Sequence, residues 1–284
     1  MNLYIMTRGR VGKQTTLAQL PKAWKEKTWL VCPESEKHDH QSILAPPYID
    51  NYSRKFQWIM QGMEFGDFAY RHDENDKAVI LDDDLVFSKK NADGKLITIR
   101  DPEELSPMFE QMEKLLDDYP LVGVHPRQMG QDAPEPFVEN GRIICIQGIN
   151  RALIGKVRVD QFPILADVVL NLTLLARGDG NVLLTTFFQD HGPCQAPGGC
   201  SIYRTAAMQR DAVNYLVDRF GPFVKGVERR VKTQWLQDSE GVRYDYRAQW
   251  KALHRAGAEF AALLDKGKGA HPDKEARGAA QAVE

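Results

Sequence analysis

Short runs of apolar residues alternate with longer stretches in which apolar positions recur every three to four residues. That alternation begins at the N-terminus and is the pattern of strands interleaved with amphipathic helices. Leu3 to Met6 predicts a first strand, which opens directly into the cationic loop Thr7-Arg8-Gly9-Arg10-Val11-Gly12-Lys13-Gln14. A helix is predicted over Thr16 to Trp24, a second strand over Trp29 to Cys32 closed by Pro33, and a second helix over Tyr52 to Gly62. Ala78-Val79-Ile80-Leu81 is apolar throughout, as expected of a strand covered on both faces, and it ends in Asp82-Asp83-Asp84 before Leu85-Val86-Phe87 resumes. Asn91 to Gly94 carries hairpin-turn chemistry, and Pro102 to Asp118 reads as an amphipathic helix with acids in its first turn. Leu121 to Val124 and Ile143 to Gln147 read as short strands. Phe162 to Arg177 is the clearest helical pattern, ended by Gly178, and Val182 to Phe188 is a further strand. The order predicts an α/β fold with a mixed, mostly parallel central sheet flanked by helices.

The length of 284 residues and 43% hydrophobic content suit one large domain, expected over residues 1–262. Residues 263–284, rich in Ala, Gly, Lys and Glu, are expected to be disordered. The Gly/Pro-rich segment Asp190 to Ser201 is a loop of the kind that usually carries function. No apolar run approaches the ~18 residues needed to span a bilayer. The four cysteines are scattered without a CxxC pair, and no leader-like segment opens the chain, so a reduced, cytoplasmic protein is expected.

Net charge is −2, which gives no bulk attraction to nucleic acid, so a polyanionic partner would need a local patch. Residues 201–255, expected to be a basic and largely helical part, hold eleven Lys or Arg against six Asp or Glu. They include Lys225, Arg229, Arg230, Lys232, Arg243 and Arg247, which could hold phosphates. Tyr203, Trp235, Tyr244, Tyr246 and Trp250 are interleaved with these charges and could stack on an unpaired base. The alternative is an ordinary charged surface over its own core aromatics.

Three adjacent carboxylates repel one another, and taking them out of water is costly unless a counter-charge arrives. At the end of a buried strand they suit Mg²⁺ or Mn²⁺, which take one or two carboxylates and complete their shell with phosphate and water. Asp84 and Asp82 are the candidate ligands, with Asp83 beside them, and His191, which follows a strand into the Gly/Pro loop, is a third candidate. The loop after the first strand is not a P-loop, because two residues rather than four separate its glycines and Gln14 follows Lys13. Its backbone N–H groups with Arg8, Arg10 and Lys13 could still converge on a diphosphate. Arg54, near the start of the second predicted helix, adds a further cation. Asp167, in the first turns of an apolar helix, is a candidate base, although an acid there also complements the helix dipole. Cys194 and Cys200, with five residues between them and no second pair, make a weak zinc signature.

A strand entering a cationic loop, a strand ending in the DxD pair Asp82 and Asp84, a helix carrying Asp167 and a downstream His191 together resemble a GT-A glycosyltransferase. More narrowly, Tyr4-Ile5-Met6-Thr7-Arg8-Gly9-Arg10, Leu81-Asp82-Asp83-Asp84 and the loop after His191 resemble the TET-associated glycosyltransferases of bacteriophages. The resemblance covers about residues 1–250 in element order, with specific matches confined to those motifs. It implies transfer of a sugar from a UDP-sugar, with Mn²⁺ or Mg²⁺, onto 5-hydroxymethylpyrimidines of phage DNA. Thr7, Arg8, Gly9, Arg10, Lys13, Arg54, Asp82 and Asp83 would then face the donor, Asp84, Asp82 and His191 the metal, and Asp167 the acceptor hydroxyl. Ala166 stands where Glu often precedes that Asp in GT-A enzymes. A transferase acting on a protein, glycan or small molecule, and a nucleotide-dependent kinase or pyrophosphorylase, remain alternatives.

Overall fold

The computed structural model of the chain describes residues 1–62, 64–65, 68–69, 75–129, 136–191, 198–231 and 240–265. β1 (Asn2–Met6), β2 (Thr28–Pro33) and β3 (Ser42–Ala45) run parallel, joined by α1 (Thr15–Gln19) and α2 (Lys22–Lys25) between the first two. α3 (Tyr52–Met60) follows, and β4 (Glu64–Phe65) pairs with β5 (Phe68–Ala69) in a separate small hairpin. β6 (Lys77–Asp82) joins the other side of β1 in parallel, with Met6 opposite Asp82. β7 (Leu85–Lys90) and β8 (Leu96–Thr98) form a hairpin across the predicted turn. Then come α4 (Ser106–Leu115), β9 (Leu121–Pro126), β10 (Phe137–Glu139), β11 (Ile146–Asn150), α5 (Arg151–Ile154), α6 (Ala166–Ala176) and β12 (Asn181–His191). α7 (Ala206–Phe220), the antiparallel hairpin β13 (Val224–Arg230) and β14 (Val242–Ala248), and α8 (Trp250–Asp265) complete the fold.

Ten strands make one mixed sheet in the order β3-β2-β1-β6-β11-β9-β12-β7-β8, with β10 alongside β12. β11 runs antiparallel between β6 and β9. The period-2 alternation of each strand sorts its side chains onto two cores. Tyr4, Met6, Ala78 and Ile80 face α3, α6, α7 and α8, whereas Leu3, Ile5, Val79 and Leu81 face α1, α2 and α4. Helices on both faces are why β1 and β6 read as continuous apolar runs.

Four expectations shift in ways with a physical cause. The helix predicted over Thr16 to Trp24 is two short ones, because Pro21 lacks an N–H and holds Leu20 extended. The helix predicted from Phe162 begins at Ala166, after Leu165 takes the left-handed conformation with φ 68°. The strand predicted at Ile143 begins at Ile146, after Cys145 does the same with φ 64°. The part expected to be helical over 201–255 contains the β13–β14 hairpin, whose alternation Val242-Arg243-Tyr244-Asp245-Tyr246-Arg247-Ala248 is a strand period. α8 reaches Asp265, and the rest of the tail lies outside the described residues, as do Lys232, Trp235 and Cys194. Among the described residues no helix is long and apolar enough to cross a membrane.

Candidate active site

From β1 the sheet is extended on one side by β2 and β3 and on the other by β6, so the winding reverses between β1 and β6. In open α/β sheets ligands bind beyond the carboxyl ends of the strands at such a point. Both motifs singled out from the sequence emerge there, the cationic loop from β1 and the acidic turn from β6. Thr16 at the start of α1 fixes that turn: its hydroxyl donates to the Asp82 carbonyl at 2.7 Å and accepts from the Leu85 N–H at 2.9 Å. Its own N–H donates to the Asp83 carbonyl at 3.2 Å.

The three aspartates diverge. Asp82 continues the alternation of Ala78 and Ile80, so its side chain leaves on the α3 and α6 face. It lies in the electrostatic neighbourhood of Asp167 on α6 and is hydrogen-bonded to the Cys145 thiol. Burial, followed by the charges of Asp84, Asp167 and Asp83, pushes its carboxyl well above the usual carboxylate range. Asp83 turns back under the β1 loop, where it is buried, accepts from the Thr7 hydroxyl at 2.6 Å and pairs with Arg10. Asp84 is the more open of the two, and its carboxylate lies 3.0 Å from the same Arg10 Nη1.

Asp167 sits in the first turn of α6, which is entered through the left-handed turn at Leu165, and shares the electrostatic neighbourhood of Asp82. Burial raises its carboxyl, against the opposing pull of Arg142 and the Val168 N–H. A carboxylate held partly against ionisation beside another acid is the arrangement that makes a base useful near neutral pH. Tyr52, Cys200 and the buried Cys145 complete this partly buried polar group, and desolvation raises each of them.

Arg8 points the other way. Its Nη1 donates to the Asp50 carbonyl, and its guanidinium stacks 5.8 Å from the Tyr203 ring centre. It forms one wall of a cleft of ≈ 420 Å³ over the ends of β1, β2 and β3. Pro46, Pro47 and Ile49 give this cleft apolar walls, and Glu34 and Asp50 give it acceptors. A flat heterocycle bearing N–H donors fits such a lining. Gly9 N–H donates to Glu36 Oε1 at 2.7 Å, and Lys13 is exposed on the outer turn of the loop. Arg54 lies outside the crevice, on the surface of α3, paired with Asp50 at 3.0 Å.

His191 ends β12 opposite Leu85, the residue after Asp84, so its backbone borders the acidic turn. Its Nε2 is 3.4 Å from Gln128 Nε2. Among the described residues, no three His, Cys, Asp or Glu side chains converge on a cation-ready point. Asp82 and Asp84 still fit Mg²⁺ or Mn²⁺, which need only one or two protein carboxylates: both are hard oxygen donors, and negative charge accumulates around Asp82.

Sequence reasoning missed Lys55, Tyr52, Cys145 and Arg142. Lys55 is buried beneath the β1 loop and donates to the Thr7 carbonyl at 2.8 Å and the Val31 carbonyl at 3.5 Å. A lysine inside the otherwise apolar face Lys55-Phe56-Trp58-Ile59 is the signal that could have found it. Tyr203, one of the candidate base-stacking aromatics, lies under the Arg8 guanidinium of the β1 loop. Its hydroxyl accepts from the Tyr52 N–H at 2.9 Å, tying the segment after the Gly/Pro loop to the start of α3.

The fold is that of an α/β protein, and its candidate site combines clustered carboxylates, guanidinium groups and an adjoining cleft at the switch point of its sheet. No model of a known protein family matches the chain, and no curated protein matches it.

Proposed function

We propose that the protein is a nucleotide-sugar-dependent glycosyltransferase whose acceptor is a hydroxymethylpyrimidine in DNA. The observation that carries this reading is the meeting, at one switch point, of the acidic turn Asp82 to Asp84, the cationic loop Thr7 to Lys13 and the half-buried acid Asp167. The resemblance of the same motifs to GT-A enzymes supports it.

The donor's base and ribose occupy the cleft beside Arg8, and its diphosphate reaches the mouth of the crevice near Arg8, Arg10 and Lys13. Asp82 and Asp84 would hold a divalent cation, which when bound would supply positive charge to offset the negative charge developing on the leaving diphosphate. Asp167 accepts the proton of the acceptor hydroxyl if the reaction inverts the sugar, and orients the sugar if it retains it. Tyr52 and Cys145 wall this region against water.

DNA is met on the outer face of the β13–β14 hairpin. Its register sets Lys225 opposite Arg247 and Arg229 opposite Arg243, so four cations share one face around Asp245. Tyr246 and Tyr244 belong to the opposite, inner face, and Tyr246 is a core residue. Phosphate contact rather than base stacking is therefore the role the hairpin suits.

The test is mass spectrometry of hydroxymethylated DNA incubated with a panel of UDP-sugars and Mn²⁺. A mass increase of one sugar on the modified base, absent with unmodified DNA, is expected. UDP-sugar turnover with transfer only to proteins or small molecules would reassign the acceptor, and turnover of ATP with no sugar donor would replace the reading altogether.

A further inference from the structure

Arg10 stands on the carboxylates that a divalent cation would need. Its Nη1 reaches Asp83 and Asp84 together, and the side chain is 13% exposed. The loop holds it there: its carbonyl accepts from Gln14 Nε2 at 2.9 Å and from the Lys13 N–H at 3.0 Å. The Gly198 backbone packs on its stem so closely that a Cβ there would come within 2.7 Å of Arg10 Cγ and 2.8 Å of Nε. Gly199 N–H donates to the Arg8 carbonyl at 2.8 Å, joining that backbone to the same loop.

A guanidinium does not lose its proton, so it cannot yield to a metal ion by neutralising; it has to move. Asp83 keeps the Thr7 hydroxyl when Arg10 leaves, whereas Asp84, with 27% of its side chain exposed, is the carboxylate released. A guanidinium set free from the acidic turn offers the planar fork that binds phosphate oxygens in pairs.

We propose that Arg10 is a built-in counter-cation, displaced when a divalent ion takes Asp84 and thereby delivered to the donor's diphosphate. This rests on the reading of the crevice as a cation-dependent diphosphate site. Cation and diphosphate then assist one another through Arg10, and the assistance is reciprocal.

The test compares the wild-type chain with Arg10→Gln in two titrations, Mn²⁺ alone followed by electron paramagnetic resonance, and inorganic pyrophosphate at saturating Mn²⁺ followed by calorimetry. Arg10→Gln is expected to bind Mn²⁺ about tenfold more tightly and pyrophosphate about tenfold more weakly, a coupling of ordinary size. Opposite signs are the signature, since simple damage to the loop would weaken both. Arg10→Lys should fall between. If Arg10→Gln does not fold, Arg10→Met, which keeps an unbranched stem of similar length but loses the charge, should likewise tighten Mn²⁺. Mn²⁺ affinity unchanged or weakened in the variants overturns the role of Arg10 and leaves the cation site standing. A wild-type chain with no Mn²⁺ binding that Asp84→Ala removes overturns both.

Discussion

Three consecutive aspartates with three different surroundings show how finely local environment divides one motif. Asp82 carries the cost of a buried charge among other carboxylates, so Asp82→Asn should stabilise the protein at pH 7 by roughly 0.5–2 kcal/mol while abolishing metal-dependent transfer. Urea unfolding alongside the transfer assay checks this, and loss of stability would sink it. Asp167→Asn should lower the rate of an inverting transfer about 10²- to 10⁴-fold with donor binding unchanged. Lys55 gives a pH signature. Burial lowers its ammonium from 10.5 to about 8. Between those values the unfolded chain holds a proton that the folded protein has released, so this group makes stability rise with pH there. Below pH 8 the full desolvation cost is present. The difference in unfolding free energy between wild type and Lys55→Met should therefore shift in favour of wild type by up to about 1.4 kcal/mol per pH unit across that window, and stay flat below it. The acidic triplet was readable because charge after an apolar strand is conspicuous. The partners of each acid were not, since Thr7, Cys145 and Arg142 are far from it in sequence and carry no pattern of their own.

Among the elements, α6 and α8 depend on an unusually close approach. Gly257 in α8 lies so near α6 that a Cβ would fall 2.6 Å from the Ala176 and Leu175 carbonyl oxygens and the Gly178 nitrogen. Alanine is the better helix former by about 1 kcal/mol, yet Gly257→Ala should destabilise the protein, by about 1–3 kcal/mol, because the neighbours are backbone and cannot yield. An unfolding midpoint unchanged or raised would show that α8 adjusts. Long apolar elements such as α6 and β6 were legible from their period. Their starting points were not: Leu165 and Cys145 adopt a conformation that β-carbons disfavour, and only packing around the crevice holds them in it. The β13–β14 hairpin was missed because the alternation of its charged outer face and aromatic inner face is a strand period, whereas charges and aromatics counted over the whole span carry no period.

At the scale of the whole molecule, a chain of nearly balanced charge meets a polyanion only through a concentrated face. Transfer to DNA should fall steeply with added salt, whereas UDP-sugar hydrolysis should not. Arg229→Ala with Arg247→Ala should weaken DNA binding alike for all sequences and reduce the salt slope by roughly 2, measured by fluorescence anisotropy. The sequence by itself determined the α/β class, the order of most strands and helices and the existence of an acidic turn and a cationic loop, because local period and punctuation encode these directly. The tertiary structure decided that β6 lies beside β1, which brings the turn and the loop together, that Arg10 sits on Asp83 and Asp84, and that Asp82 shares its surroundings with Asp167. Those are contacts between residues some 70 to 85 positions apart, set by which strands pair and which face each side chain takes, and no local pattern records them.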